Sequence, residues 1–135
     1  MVRSAIAKNG IAVRTHLKDG LVPVRGDRVQ LQQVVVNLIL NAVEAMGSVG
    51  AGARELSIST EQDQTGVLVA VGDSGPGIAR EHLDRVFKPF YTTKPSGIGM
   101  GLSICRSIIE GHGGQLWAGA NEPRGAVFQF TLPSE

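Results

Sequence analysis

The longest ordered pattern of apolar and polar positions runs from Asp27 to Met46, DRVQLQQVVVNLILNAVEAM, and predicts one long helix. At about 100° per residue, Leu31, Val34, Val35, Leu38, Ile39, Ala42, Val43 and Met46 share a broad apolar arc, with Val36 and Leu40 beyond its edge. Such a helix is buried over most of its circumference. The remaining stripe holds Gln30, Gln33, Asn37, Asn41 and Glu44, each roughly above the last on one face. It faces either water at one edge of the helix or a polar ligand. Asparagine is a poor residue for a helix interior; two of them one turn apart, where Lys or Arg would solvate better, favour the ligand. Asp27 is placed to cap the N-terminus, and Gly47, Gly50 and Gly52 end the pattern.

Elsewhere the chain alternates between strand and helix spacing. Ile11 to Leu17 reads as a strand with Ile11, Val13, Thr15 and Leu17 on one face and His16 on the other. Glu55 to Thr60 and Val67 to Val71 read as a hairpin through a polar turn ending at Thr65 and Gly66. The run that begins GVLVAV is apolar almost throughout and stops at Asp73, which marks a central strand. Arg80 to Phe87 reads as a short helix. The following PFYTTKPSGIGMG keeps no period, and stretches of about a dozen residues without one are functional or disordered in compact domains. Helical spacing resumes from Leu102 to Gly111, with Leu102, Cys105, Ile108 and Ile109 on one face and Gly111, His112, Gly113 and Gly114 closing it. Gln115 to Ala118 and Ala126 to Leu132 are the last strands; Phe128, Phe130 and Leu132 alternate there with Gln129 and Thr131. Trp117 is expected in the core or at its edge. Strands and helices in this order give an α/β pattern.

The length of 135 residues suits one domain with a substantial core. A net charge of +1 gives no broad electrostatic reason to expect nucleic acid or an anionic membrane as partner. No apolar run approaches the roughly 20 residues of a membrane span, and the N-terminus lacks a signal-peptide pattern, so a cytosolic location is expected. Cys105 is the single cysteine, which rules out an internal disulfide. On the apolar face of its helix it reads as a small packed hydrophobe rather than a catalytic thiol. His16 and His112 read as surface and turn residues. Eighteen glycines against 4% aromatic residues point to tight turns and loops that approach a ligand closely.

Three further stretches carry candidate chemistry. Asp73-Ser74-Gly75-Pro76-Gly77 ends a buried strand, where a carboxylate needs hydrogen-bond donors; it is either a solvated turn or a site where glycines admit a ligand and the carboxylate accepts from an amine. Gly97, Gly99 and Gly101 expose backbone N–H groups at a helix start, suited to an anion. Their spacing matches neither G-x-G-x-x-G nor the G-x-x-x-x-G-K-[ST] loop, so a plain Gly-rich turn stays open. Lys94, and less so Lys88, are either surface lysines or phosphate partners. In Phe87-Lys88-Pro89-Phe90-Tyr91-Thr92-Thr93-Lys94 the two phenylalanines suit a loop anchored at its base, which is compatible with a lid.

NLILNAVEAM, then D-S-G-P-G, then F-K-P-F-Y-T-T-K, then G-I-G-M-G-L, in this order, resembles the ATP-binding catalytic domain of two-component sensor histidine kinases within the GHKL superfamily. The resemblance covers about residues 10 to 133. It implies the Bergerat fold, a two-layer α/β sandwich with helices on one face of a mixed sheet and ATP beneath a lid. It implies that Asn41 holds Mg²⁺, that Asp73 accepts from the adenine amine, and that Gly75 and Gly77 shape the base pocket. Gly97, Gly99 and Gly101 match the phosphate glycines, and Lys94 lies in the lid. Glu44, Ile78, Leu102 and Thr131 join the nucleotide pocket, and Asn37 and Lys94 join Asn41 as the catalytic group. Ala126 stands where Thr is common.

The partners so implied are a separate dimerisation domain carrying the phosphoacceptor histidine and, indirectly, a response regulator. None of His16, His82 or His112 has an H-E-x-x-x-P-like setting, so residues 1–135 read as a catalytic and ATP-binding domain cut from a longer sensor or acting in trans. The competing class is a GHKL switch ATPase, whose members place a Glu one turn before the Mg-binding Asn. Here that position is Asn37, whose carboxamide is no general base. An anti-sigma-type serine kinase of the same superfamily stays open.

Overall fold

A parallel pair of strands with a long helix between them opens the fold of the computed structural model, which describes residues 11–16, 28–47, 54–62, 64–75, 77–78, 101–121 and 125–133. β1 (Ala12–His16) pairs in parallel with β2 (Glu55–Gln62). Parallel neighbours require a long crossover, and α1 (Arg28–Gly47) supplies it. β3 (Gly66–Asp73) returns antiparallel to β2 as the expected hairpin. After α2 (Gly101–Gly111), β4 (Leu116–Ala120) and β5 (Ala126–Pro133) complete a mixed sheet of order β1-β2-β3-β5-β4 among the described residues. β3 is the middle strand, as its near-continuous apolar run requires.

Both helices cover one face of this sheet. Val34, Leu38 and Met46 of α1 and Cys105 and Ile109 of α2 are fully buried in one cluster with Leu56, Val71, Leu116, Phe128, Phe130 and Leu132 from the strands. Phe128, Phe130 and Leu132 alternate inward along β5 against half-exposed Val127, Gln129 and Thr131, as period two dictates. The expected two-layer sandwich is therefore present. Asp27 and residues 79–100, including the helix expected at Arg80 to Phe87 and the lid stretch, lie outside the described residues.

Trp117 corrects the sequence reading. It is 37% exposed, because β4 turns Leu116 inward and pairs Trp117 with outward-facing Gln129. Val13 shares a register row with buried Leu56 but lies 43% exposed, on the strand at the edge of the sheet among the described residues.

The glycines after α2 form a left-handed helix cap. Gly113 N–H donates to Glu110 O and Gly114 N–H to Ile109 O, both at 3.0 Å, with Gly113 at φ +82°. His112 closes the same turn by donating from Nδ1 to Ile108 O at 2.7 Å, which bears out its reading as a turn residue. A Cβ at Gly113 would meet only Pro133 at 3.5 Å, whereas one at Gly114 would overlap the Thr131 carbonyl oxygen. Gly113→Ala is therefore expected to cost about 1–2 kcal/mol, the penalty of a left-handed non-glycine residue. Gly114→Ala carries no such backbone penalty but must push the chain entering β4 away from the Thr131 carbonyl of β5, and should cost more. Urea unfolding of the two variants ranks them, and equal midpoints would contradict this account.

Candidate functional site

Alternation along β3 sends Val67 and Val71 into the core, and two residues further on it sends Asp73 there as well. Its side chain is 2% exposed, on the helix-covered face, at the end of the middle strand. A buried carboxylate is costly without donors. Asp73 Oδ1 accepts from Gly75 N–H at 2.8 Å and from Ala126 N–H at 3.2 Å. Two backbone donors on one oxygen fix the plane of the carboxylate, which has about four acceptor sites in all.

Glycines let three backbone segments converge here. A Cβ on Gly75 would come within 3.1 Å of Asp73 Oδ1 and 3.2 Å of the Ala45 carbonyl. Gly77 has φ +82°, and its Cβ would sit 3.1 Å from Gly125 O. Gly125, at φ +104°, has its backbone so close that a Cβ would overlap the Asp73 carbonyl oxygen. The sequence reading singled out Gly75 and Gly77 and missed the part played by Gly125. A glycine opening a strand, after N-E-P-R, was the available signal.

The last turn of α1 is fastened to this place. Ser74 Oγ accepts from Glu55 N–H at 2.9 Å and donates to Met46 Sδ at 3.6 Å, which ties β3, β2 and the end of α1 together. Asn41 and Glu44 thus lie on the half of α1 that ends beside Asp73. Within the polar stripe, Gln30, Gln33 and Glu44 are exposed, while Asn37 and Asn41 are half-buried. Asn37 hydrogen-bonds the Cys105 thiol of α2, and that thiol also approaches Val34 O at 3.9 Å. Burial pushes the Cys105 thiol above its ordinary pKa, against the opposing effect of the Asn37 hydrogen bond. A neutral, fully buried thiol is a packed hydrophobe, as expected from its helical face.

α2 runs in the opposite sense. Its C-terminal turn lies against Thr131 and Pro133, at the far end of β5 from Ala126. Its N-terminus, with exposed Gly101 and half-buried Leu102, therefore points back towards the end of the sheet that carries Asp73. Asn41, Glu44, Asp73, Gly75, Gly77, Ile78, Gly101 and Leu102 are thus gathered at one end of the sandwich, with Ile78 and Leu102 packed against the core. Lys94, Gly97 and Gly99 lie outside the described residues.

Thr131 corrects the expected pocket. It pairs with Leu68 and accepts from Gln115 N–H at 3.2 Å. Five residues of strand, about 17 Å, separate it from Ala126 at the Asp73 end. It lines a different cavity of about 280 Å³, with Glu61, Gln62, Thr65, Gly66 and Pro133.

Among the described residues no three His, Cys, Asp or Glu side chains cluster as a metal cage. No described helix is long and apolar enough to cross a membrane.

Residues 26–135 match the family described as histidine kinase-, DNA gyrase B- and HSP90-like ATPases. The chain is similar to the sensor histidine kinase TmoS of Ectopseudomonas mendocina, 38% identical over 135 residues, and to the sensor protein FixL of Bradyrhizobium diazoefficiens, 44% identical over 128 residues. These alignments take in 98% and 94% of the chain, which spans only 14% of TmoS and 25% of FixL. Among solved structures, the nucleotide-free catalytic domain of histidine kinase ThkA superposes with a TM-score of 0.84 at 38% identity, over 98% of this chain and 90% of that one. ThkA is also known in complex with the response regulator TrrA, where the similarity covers 37% of the kinase chain with a TM-score of 0.82.

Proposed function

Because the chain belongs to the family of histidine kinase-, DNA gyrase B- and HSP90-like ATPases, we propose that it is the catalytic domain of a sensor histidine kinase. In this reading it binds ATP and transfers the γ-phosphoryl group to a histidine on a separate dimerisation domain, for relay to a response regulator. The observation that carries this reading is the buried, doubly donated carboxylate of Asp73, set beside the asparagine stripe of α1 at the end of the sandwich where α2 begins. That carboxylate accepts from the exocyclic amine of adenine, and Gly75 and Gly77 let the backbone pack closely around it. The N-terminus of α2 faces the phosphates, since free N–H groups at a helix start favour anions.

The donor set fits Mg²⁺. A hard ion that keeps several waters and bridges phosphates needs few protein ligands, and the Asn41 carboxamide oxygen would provide one. Such an ion would neutralise phosphate charge; the chain itself positions the nucleotide, which is most of what phosphoryl transfer requires. Asn37, a carboxamide tied to Cys105, does not supply the general base that a switch ATPase needs to activate water. Likeness to complexes such as ThkA with TrrA supports the response regulator as the downstream partner.

The acceptor histidine is assigned to another domain. His16 lies in β1, and the ring of His112 is engaged with the last turn of α2. Labelled ATP should therefore leave the isolated chain without acid-labile phosphohistidine. Addition of the matching dimerisation domain should place the label there. Stable label on His16, His82 or His112 would overturn the assignment.

A further inference from the structure

Asp73 is held from both sides of the sheet. On the core side the two N–H donors fix Oδ1; on the other side Asn121 Nδ2 donates to the Asp73 main-chain carbonyl at 2.8 Å. Asn121 follows β4 directly, and its own N–H donates to Gly125 O at 3.0 Å. One residue thus joins the end of β4, the start of β5 and the end of β3. The close packing around its carboxamide is built in: a Cβ at Gly72 would come 2.9 Å from Asn121 Nδ2, and Gly125 is pressed on the same carbonyl.

We propose that Asn121 is a positioning residue for base recognition, holding the Asp73 backbone so that its carboxylate meets the adenine edge at the right angle. The inference rests on the reading of Asp73 as the base acceptor. A carbonyl anchored by a side-chain donor on one face and a carboxylate anchored by N–H groups on the other leave the Cα–Cβ axis of Asp73 little freedom. Without Asn121 that axis can tilt about the remaining bonds, and hydrogen-bond strength falls steeply with misalignment. The loss should fall on the base contact and spare the phosphates.

Titration calorimetry of the full chain with Mg-ATP, Mg-GTP and adenosine tests this. Asn121→Ala should weaken ATP and adenosine alike by about three- to tenfold, the range of one hydrogen bond made or lost, and should narrow the preference for ATP over GTP. Asn121→Asp, which keeps the shape but offers the Asp73 carbonyl no donor, should lose at least as much as Asn121→Ala, with far-ultraviolet circular dichroism unchanged throughout. In an Asp73→Asn background the further change Asn121→Ala should have little effect, because the group it positions is already altered. Equal fold losses in the two backgrounds, or an unchanged ATP to GTP ratio in Asn121→Ala, would overturn the proposal while leaving the role of Asp73 intact. An Asp73→Asn single variant with wild-type ATP affinity would overturn both.

Discussion

Asp73→Ala is expected to weaken ATP binding by about tenfold to a hundredfold, the loss of a hydrogen bond to a charged group worth roughly 1.5 to 3 kcal/mol. Guanine presents a carbonyl where adenine presents an amine, so the wild type should bind ATP well and GTP poorly. Asp73→Ala also leaves the Gly75 and Ala126 N–H groups without their acceptor, which should lower stability by about 1–3 kcal/mol. Asp73→Asn separates the two effects. Its amide oxygen can keep both backbone donors, while an NH₂ replaces the second carboxylate oxygen and turns a donor towards the base. This variant should stay folded, lose ATP and shift its relative affinity towards GTP. Calorimetric titration reads both constants, and equal ATP and GTP affinity in the wild type would sink the assignment.

Asn41→Ala is expected to abolish the Mg²⁺-dependent part of ATP affinity, leave adenosine binding almost unchanged, and slow transfer to the dimerisation domain by about a hundredfold or more, as misplaced phosphates do. Alanine is a better helix former than asparagine, so α1 should not be weakened by the change. The measurement is a pair of ATP titrations with Mg²⁺ and with chelator, beside one of adenosine. A loss of adenosine affinity as large as that of ATP would mean that the helix, and not a metal ligand, had been damaged.

Much of this architecture was legible before any tertiary information. The apolar arc of α1, the hairpin into β3, the alternation of β5 and the helical face of Cys105 are local periodicities, and each element formed within a few residues of its expected bounds. Asp73 was legible too, since a carboxylate ending an apolar strand and followed by two glycines is a costly arrangement unless it is used. Period alone says which residues share a face, but not which face meets the helices. For the short β4 segment that choice put Leu116 inside and Trp117 outside. Strand direction and register likewise decided the ends: Thr131 belongs to the strand expected to close the pocket, yet pairing with Leu68 carries it to the opposite end of the sheet. The contacts that complete the surroundings of Asp73 are non-local as well. Asn121 reaches it across 48 positions, Ala126 across 53, and Asn37 meets Cys105 only because α2 packs on α1. Local sequence determines where polar groups fall along an element, and only the packing of distant elements determines which of them meet.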